Sequence, residues 1–450
     1  MDRREFLRLS ARAGAGAVAL ASGACSKEPD GAPQADLGAD MASDLGRDLG
    51  VDLGVDAGVD MAAAVAEVSK RPFVHLRGEG EALLRFETPV EQALEVEIVH
   101  NGQSVLHMPT RSTQEVPYAW PELPGLIDRT IPDEPGFYTM HDLLLEGLTP
   151  GERYTWRVGL GGGESIEGSF RVAPPKGGEA RVGWISDTML ENAEGPIARL
   201  QGFDPELMLH GGDIQYTTAL LDTWAGAFHR FAPLMARAPM HFCIGNHEYE
   251  TPGGADEFSL QYQRLLGKQR AQGDMRYHGV TCAGVRFLML NSEEDFDDLS
   301  GPQLSWLKAE LEAVRQSPEL HFAVVAYHRP FFTMSSSSPD FARRDKLHPL
   351  FQEYGVPLVL NGHNHCYERF EADGITYIMD GGGGAALYET DEHREDVLAE
   401  RPGDDALRKF AHKSFGGYAM RIMSDGTIRG ERLEAGGEGA LDRFEVGVEA

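Results

Sequence analysis

The chain has 450 residues, of which 42% are hydrophobic and 25% charged, with a formal net charge of -30. That length corresponds to about three domains at roughly 150 residues each and is ample for a sizeable core. The acidity argues against nucleic acid as a partner, since phosphate backbones reward clustered Lys and Arg, and no apolar run beyond the N-terminus is long enough to span a bilayer. Four cysteines, Cys25, Cys243, Cys282 and Cys366, are too few and scattered for a disulfide scaffold, and none forms a CxxC pair suited to a thiolate zinc site. With Cys25 in a targeting segment, at least one of the other three is expected to be a free buried thiol, and a Cys243–Cys282 bridge stays open.

Residues 1–25 read as an address. Arg3-Arg4-Glu5-Phe6-Leu7 with a weakly apolar stretch behind it resembles a twin-arginine export signal. Ser22-Gly23-Ala24 before Cys25 resembles a bacterial lipoprotein cleavage site, with Ser22 in place of the usual aliphatic residue. The expectation is an exported protein, periplasmic or at the cell surface, with Cys25 as a candidate lipid anchor and the only link to a membrane. Residues 26–68 follow as a linker in which Asp recurs every fourth position from Asp36 to Asp60, punctuated by glycines such as Gly46, Gly50 and Gly54. A period of four with this much glycine does not sustain a helix, and like charges repel, so a disordered tether is expected.

Residues 69–176 change to short alternating strands, for example at 82–86, 94–99 and 154–158, separated by Gly and Pro turns. This pattern predicts a small antiparallel β-sandwich. Leu148-Thr149-Pro150-Gly151-Glu152-Arg153-Tyr154-Thr155-Trp156 resembles the corner of a fibronectin type III-like domain, which makes Tyr154 and Trp156 structural. Pro174-Pro175-Lys176-Gly177-Gly178 marks a boundary.

Residues 179–436 alternate short apolar runs with amphipathic stretches. Runs at 181–186, 206–210, 240–244, 321–326 and 356–360 suit strands covered on both faces. Helices are predicted at 224–238 and 302–316, the second with Leu304, Leu307, Leu311 and Val314 at helical spacing. The alternation defines an α/β domain, and residues 437–450 are left as a C-terminal tail.

Five strand ends in this domain carry oxygen or nitrogen donors: Asp187; Asp213 with Tyr216; Asn246-His247; His328; and His363-Asn364-His365. One Asp after a strand is ordinarily a cap or turn residue. Five such blocks in order, several beside glycine, are hard to explain as caps. Pooled, these Asp, Asn, Tyr and His side chains suit a pair of hard or borderline transition metals, and suit neither calcium nor a thiolate zinc site.

Across residues 187–369 these blocks resemble the purple acid phosphatase branch of the calcineurin-like metallophosphoesterases. Most of that superfamily has a histidine two residues after the first Asp; here Met189 stands there, while Tyr216 occupies the tyrosine position peculiar to the branch. His365-Cys366-Tyr367-Glu368-Arg369 matches the usual continuation, and Met189 departs from the usual glycine. The resemblance implies a β-sandwich flanked by helices (αββα). It further implies that Asp187, Tyr216 and His365 bind a first metal, Fe(III); that Asn246, His328 and His363 bind a second, divalent Fe, Zn or Mn; and that Asp213 bridges them. The implied activity is hydrolysis of small phosphomonoesters by a metal-bridging hydroxide, with His247 binding phosphate or protonating the leaving group. A phosphodiesterase on the same centre is the alternative, and a non-catalytic surface binding protein is a third reading. The substrate rim offers little: no histidine follows His328 before His348, which reads as packing or surface. Arg343 and Arg344 read as an exposed helix face, residues 335–338 as a flexible serine loop near the cleft, and glycines 381–384 as a tight turn near the metals.

Overall fold

The structure is a computed structural model that describes residues 65–116, 136–214, 221–249, 260–271, 273–293 and 301–447. The signal, Cys25 and nearly all of the predicted tether lie outside these residues, as does Tyr216. The sandwich consists of β1 (Lys70–Gly78), β2 (Glu81–Thr88), β3 (Val96–His100), β4 (Gln103–His107), β5 (Thr110–Val116), β6 (Gly136–Leu145), β7 (Arg153–Gly161) and β8 (Glu164–Arg171). They form two antiparallel sheets, ordered β1-β2-β6-β5 and β4-β3-β7-β8. Strand β7 shows why: Tyr154, Trp156 and Val158 are buried while Thr155 and Arg157 are exposed, the period of two that a half-buried strand requires. The Tyr154 hydroxyl accepts the Thr149 amide at 3.0 Å and closes the preceding turn. The sandwich begins slightly upstream of residue 69, because the Ala66 amide already donates to Leu160 O at 2.7 Å.

The second region contains β9 (Ala180–Ile185), α1 (Glu194–Phe203), β10 (Leu207–His210), α2 (Leu221–Met235), β11 (Met240–Phe242), α3 (Leu260–Leu266), β12 (His278–Cys282), β13 (Val285–Met289), α4 (Pro302–Gln316) and β14 (Phe322–Ala326). It continues through α5 (Phe341–Glu353), β15 (Leu358–Asn361), β16 (Tyr367–Ala372), β17 (Ile375–Asp380), α6 (Arg394–Glu400), α7 (Asp404–Leu407), β18 (Arg408–His412), β19 (Gly416–Ile422), β20 (Ile428–Glu434) and β21 (Ala440–Val446). Two sheets result, ordered β11-β10-β9-β19-β20-β21 and β12-β13-β14-β15-β17-β16-β18. Their inner faces share one core, in which Val182, Trp184 and Leu209 from the first meet Phe287, Val324 and Leu360 from the second. Outside, α1 and α2 cover the first sheet through Leu200, Trp224 and Phe228, and α4 covers the second through Leu304, Leu307 and Leu311. The order of layers is αββα. Strands β9, β10 and β11 run parallel, as do β13, β14, β15 and β17, and their unbroken apolar runs reflect burial on both faces.

The tail expected from residue 437 is corrected by β21, which pairs antiparallel with β20. Its Phe444 packs on Tyr418, with ring centroids 5.5 Å apart. Asp442 accepts from the Tyr367 hydroxyl at 2.6 Å and from Arg369 Nε at 2.7 Å. Cys243, Cys282 and Cys366 are all free and buried, so the open Cys243–Cys282 bridge is not formed.

Candidate metal centre

The donors gather where strands of both sheets end: Asp187 after β9, Asp213 after β10, Asn246 and His247 after β11, His328 after β14, and His363 and His365 after β15. The sheets meet here, with Ile244 beyond β11 bridging Asn291 beyond β13. Three donors sit in the left-handed backbone region, with φ of 57° at Asp187, 52° at Asp213 and 73° at His363. For a non-glycine residue this costs on the order of 1 kcal/mol and persists only where the surroundings enforce it. The enforcement is visible. Asp187 and Thr188 donate their amides to Gly212 O and Asp213 O at 3.1 and 3.0 Å, and Gly362 donates to His328 O at 3.0 Å. Glycine supplies the room, since a Cβ on Gly245 would run into Asp213 Oδ1 and one on Gly362 into Ser186 Oγ and Asp187 Oδ2.

Asp213, His328 and His363 form a triad whose ligand atoms all lie within 4.8 Å of one another. His328 Nε2 lies 3.3 Å from Asp213 Oδ2, 3.2 Å from Asn246 Oδ1 and 3.2 Å from His363 Nδ1. On the other side His365 Nε2 stands 3.6 Å from Asp187 Oδ1, and the His363 amide donates to Asp187 Oδ2 at 2.8 Å. The His247 amide donates to Asp213 Oδ1 at 2.9 Å and its Nε2 lies 3.8 Å from Oδ2, with the side chain 22% exposed. Asp187, Asp213, Asn246, His247, His328, His363 and His365 therefore share one constellation. Met189, beside it, is exposed and carries no donor for a hard cation.

Charge in this pocket is unbalanced. Burial pushes Asp187 up to about 7, with the negative charge of Asp213 adding to it. Burial and Asp213 likewise raise Glu248 to about 7. Burial disfavours a charged His328, yet Asp213 and Asp187 outweigh it and lift the ring to about 10. Burial works against it, but the charges of His328 and His247 hold Asp213 well below the usual carboxylate range. A buried carboxylate that raises its neighbours and draws a proton onto an imidazole calls for positive charge beside it, which a multivalent cation supplies. The donor set and its electrostatics fit a metal centre.

Several positioning residues carried no weight in the sequence reading. Glu248 is fully buried and accepts the amides of Asp213, Ile214 and Gly245 at 2.9, 3.0 and 2.7 Å. Its place directly after His247 was the available signal. Ser186 Oγ donates to Asp187 Oδ2 at 2.6 Å, and Tyr388 stacks on His365 with centroids 4.0 Å apart. Arg329, directly after His328, places Nη1 3.0 Å from His363 Nε2 while its Nε is held by Glu293 at 3.0 and 2.9 Å.

The rim differs from expectation in two places. Residues 335–338 are packed beneath the fifth block: Ser335 is buried and donates to Glu389 O at 2.7 Å, and the Ser337 amide donates to Asn364 Oδ1 at 2.9 Å. Arg343 and Arg344 are half-buried; Arg343 pairs with Asp340 at 3.1 Å, and Arg344 pairs with Asp404 at 2.5 Å and lies over the Phe332 ring. Asp404 is remote in the chain and Phe332 lies outside the helix, so helical spacing alone could not reveal this burial. His348 bonds the Tyr377 hydroxyl at 2.7 Å and Asp373 at 3.0 Å, a packing role. The glycine turn at 381–384 does border the centre, with the Gly383 and Ala385 amides donating to Ser186 O and Asp187 O.

Residues 180–367 match the calcineurin-like phosphoesterase family. With this fold and this array of donors, the region is a calcineurin-like metallophosphoesterase domain, a family that implies a dinuclear metal centre. Its relatives include purple acid phosphatases. Over 196 residues the chain is 32% identical to "Probable inactive purple acid phosphatase 9" of Arabidopsis thaliana, covering 37% of this chain and 30% of that one. Over 287 residues it is 27% identical to purple acid phosphatase 23 of the same plant, covering 54% and 62%. The chain thus spans less than two thirds of either relative. A solved purple acid phosphatase from yellow lupin (Lupinus luteus) seeds shares the fold with a TM-score of 0.65 at 18% identity, over 84% of this chain and 74% of that one.

Proposed function

We propose that the protein is a metal-dependent phosphoric ester hydrolase of the acid phosphatase type acting on small phosphomonoesters. The observation that carries this reading is the placement of Asp213, which forms a ligand triad with His328 and His363 while Asp187 and His365 pair alongside. On this reading Asp187, Tyr216 and His365 hold one cation, Fe(III); Asn246, His328 and His363 hold a divalent Fe, Zn or Mn; and Asp213 is shared. When bound, such a pair supplies charge stabilisation and an activated water for in-line displacement. The chain's own residues orient and protonate. His247 is anchored by its amide to Asp213 and reaches solvent with its ring, which suits it to bind a phosphoryl oxygen or to pass a proton to the leaving alkoxide.

The name of one relative marks it as inactive. In this chain the six described donors converge, which favours a working centre. Purified holoprotein is expected to be violet through tyrosinate-to-iron charge transfer, and Tyr216→Phe to lose the visible band. Metal analysis showing zinc or manganese alone in a colourless active protein would remove the Fe(III) assignment. The same preparation should turn over a monoester faster than a diester; the opposite preference would make it a phosphodiesterase, and absence of both metal and turnover would leave a binding protein.

A further inference from the structure

The three imidazoles assigned as metal ligands are not backed alike. His328 turns Nδ1 to Gly211 O at 3.0 Å, and His365 turns Nδ1 to Ala386 O at 2.8 Å. Each carbonyl can only accept, so both rings donate from Nδ1 and present Nε2 to the carboxylates. This is the ordinary support for a ligating histidine, whose second nitrogen donates to an acceptor that fixes the ring and raises its basicity. His363 is reversed. Its Nδ1 faces His328 and the triad, and its Nε2 faces Arg329 Nη1 at 3.0 Å. A guanidinium has donors only.

A neutral imidazole that gives the Nδ1 lone pair to a cation must carry its proton on Nε2. That N–H would then point at the N–H of Arg329, donor against donor. Nor is Arg329 free to turn away. Glu293 holds Nε at 3.0 and 2.9 Å and pairs with Nη2 at 2.9 Å, Ser292 Oγ accepts the Arg329 amide at 3.0 Å, and Pro330 follows. The side chain is only 24% exposed, so water does little to screen it.

We infer that Arg329 is a positioning residue that weakens cation binding at the His363 half of the centre. The effect falls on the cation that His363 holds and not on the one beside Asp187 and His365. Two effects act in the same direction: the donor mismatch at Nε2, and the repulsion between a fixed guanidinium and a dication, which Glu293 offsets in part. This inference rests on the dinuclear reading above.

The test is equilibrium binding of Zn2+ to the full chain, followed by isothermal titration with elemental analysis, in the wild type and two variants. Wild type should bind two cations in distinguishable steps. Arg329→Gln removes the charge and offers an oxygen that accepts from Nε2, so it should tighten one of the two steps by about tenfold or more while leaving the other unchanged. Arg329→Lys keeps a charged donor-only side chain and should leave both steps near wild type, which separates donor polarity from simple loss of packing. Arg329→Gln with neither step tightened, or equal tightening in Arg329→Lys, overturns the inference while the dinuclear reading stands. Failure of the wild type to bind two cations overturns the dinuclear reading itself.

Discussion

At the scale of single residues, Glu248 holds three backbone amides from two different turns with one buried carboxylate. Those amides belong to the turns that present Asp213 and Asn246. In Glu248→Ala the donors would lose their partner in a dry site, at about 1–3 kcal/mol each, so a loss of about 3 kcal/mol or more is expected in urea unfolding. Metal content of the purified variant should fall with it, because the left-handed turn at Asp213 loses its support. Unchanged stability would mean that water reaches those amides. Glu248 holds the Asp213 turn through its backbone amide and aims no donor at a cation, so short-motif reasoning that looks for such donors passes over it. Arg329 escaped for a related reason: its partner His363 is remote in sequence, and only the fold shows which nitrogen it faces.

At the scale of elements, buried parallel strands and the Leu-spaced helix α4 were legible because their burial is continuous or strictly periodic. Edge strand β21 was not. It buries little besides Phe444; Asp442 ties it to Tyr367 and Arg369 of β16, and Arg443 and Glu445 form exposed pairs with Glu431 and Arg429 of β20. Deleting residues 438–450 is expected to lower stability by about 3 kcal/mol, chiefly through the lost Phe444 packing on Tyr418 and Gly430. A thermal midpoint equal to that of the full chain would show the strand to be dispensable. The serine segment at 335–338 shows the converse error: its composition predicts a flexible loop, but the buried Ser335 hydroxyl and a hydrogen bond from the Ser337 amide to Asn364 Oδ1 pin it.

At the scale of the whole molecule, sandwich and phosphoesterase region meet along a seam where apolar contacts such as Phe73 on Phe228 adjoin buried polar groups. Glu87 of β2 is buried with Lys70 and Arg264, and Arg85 reaches Leu265 O at 2.6 Å. Three buried histidines lie along it: His75 Nδ1 bonds Met240 O at 2.7 Å, and His241 Nδ1 faces His278 Nε2 at 3.0 Å. Burial, with Arg286 adding to it, holds His241 down to about 3. Above pH ~6.5 that ring is neutral in folded and unfolded chains alike, and it contributes no pH dependence. As pH falls below this, the unfolded chain takes up a proton that the folded state refuses, so stability declines, by about 2 kcal/mol at pH 5 for this ring. Urea unfolding over this range should show the decline, and His241→Gln should flatten part of it. A wild-type profile that is flat below pH ~6.5 would show the ring to be solvated in the folded state.

What the sequence by itself determined is the inventory: the α/β and sandwich classes, and the donors, six of which the described structure places in one pocket. Those features depend on periodicity and on residue type at strand ends, both local properties of a chain. Tertiary structure alone decided what surrounds the donors. Which carbonyl or guanidinium backs each imidazole, which carboxylate ties two turns together, and which tail closes a sheet all depend on pairs far apart in the chain. Hydrogen-bond direction across such pairs leaves no periodic trace in the sequence, so it becomes readable only once the strands are in place.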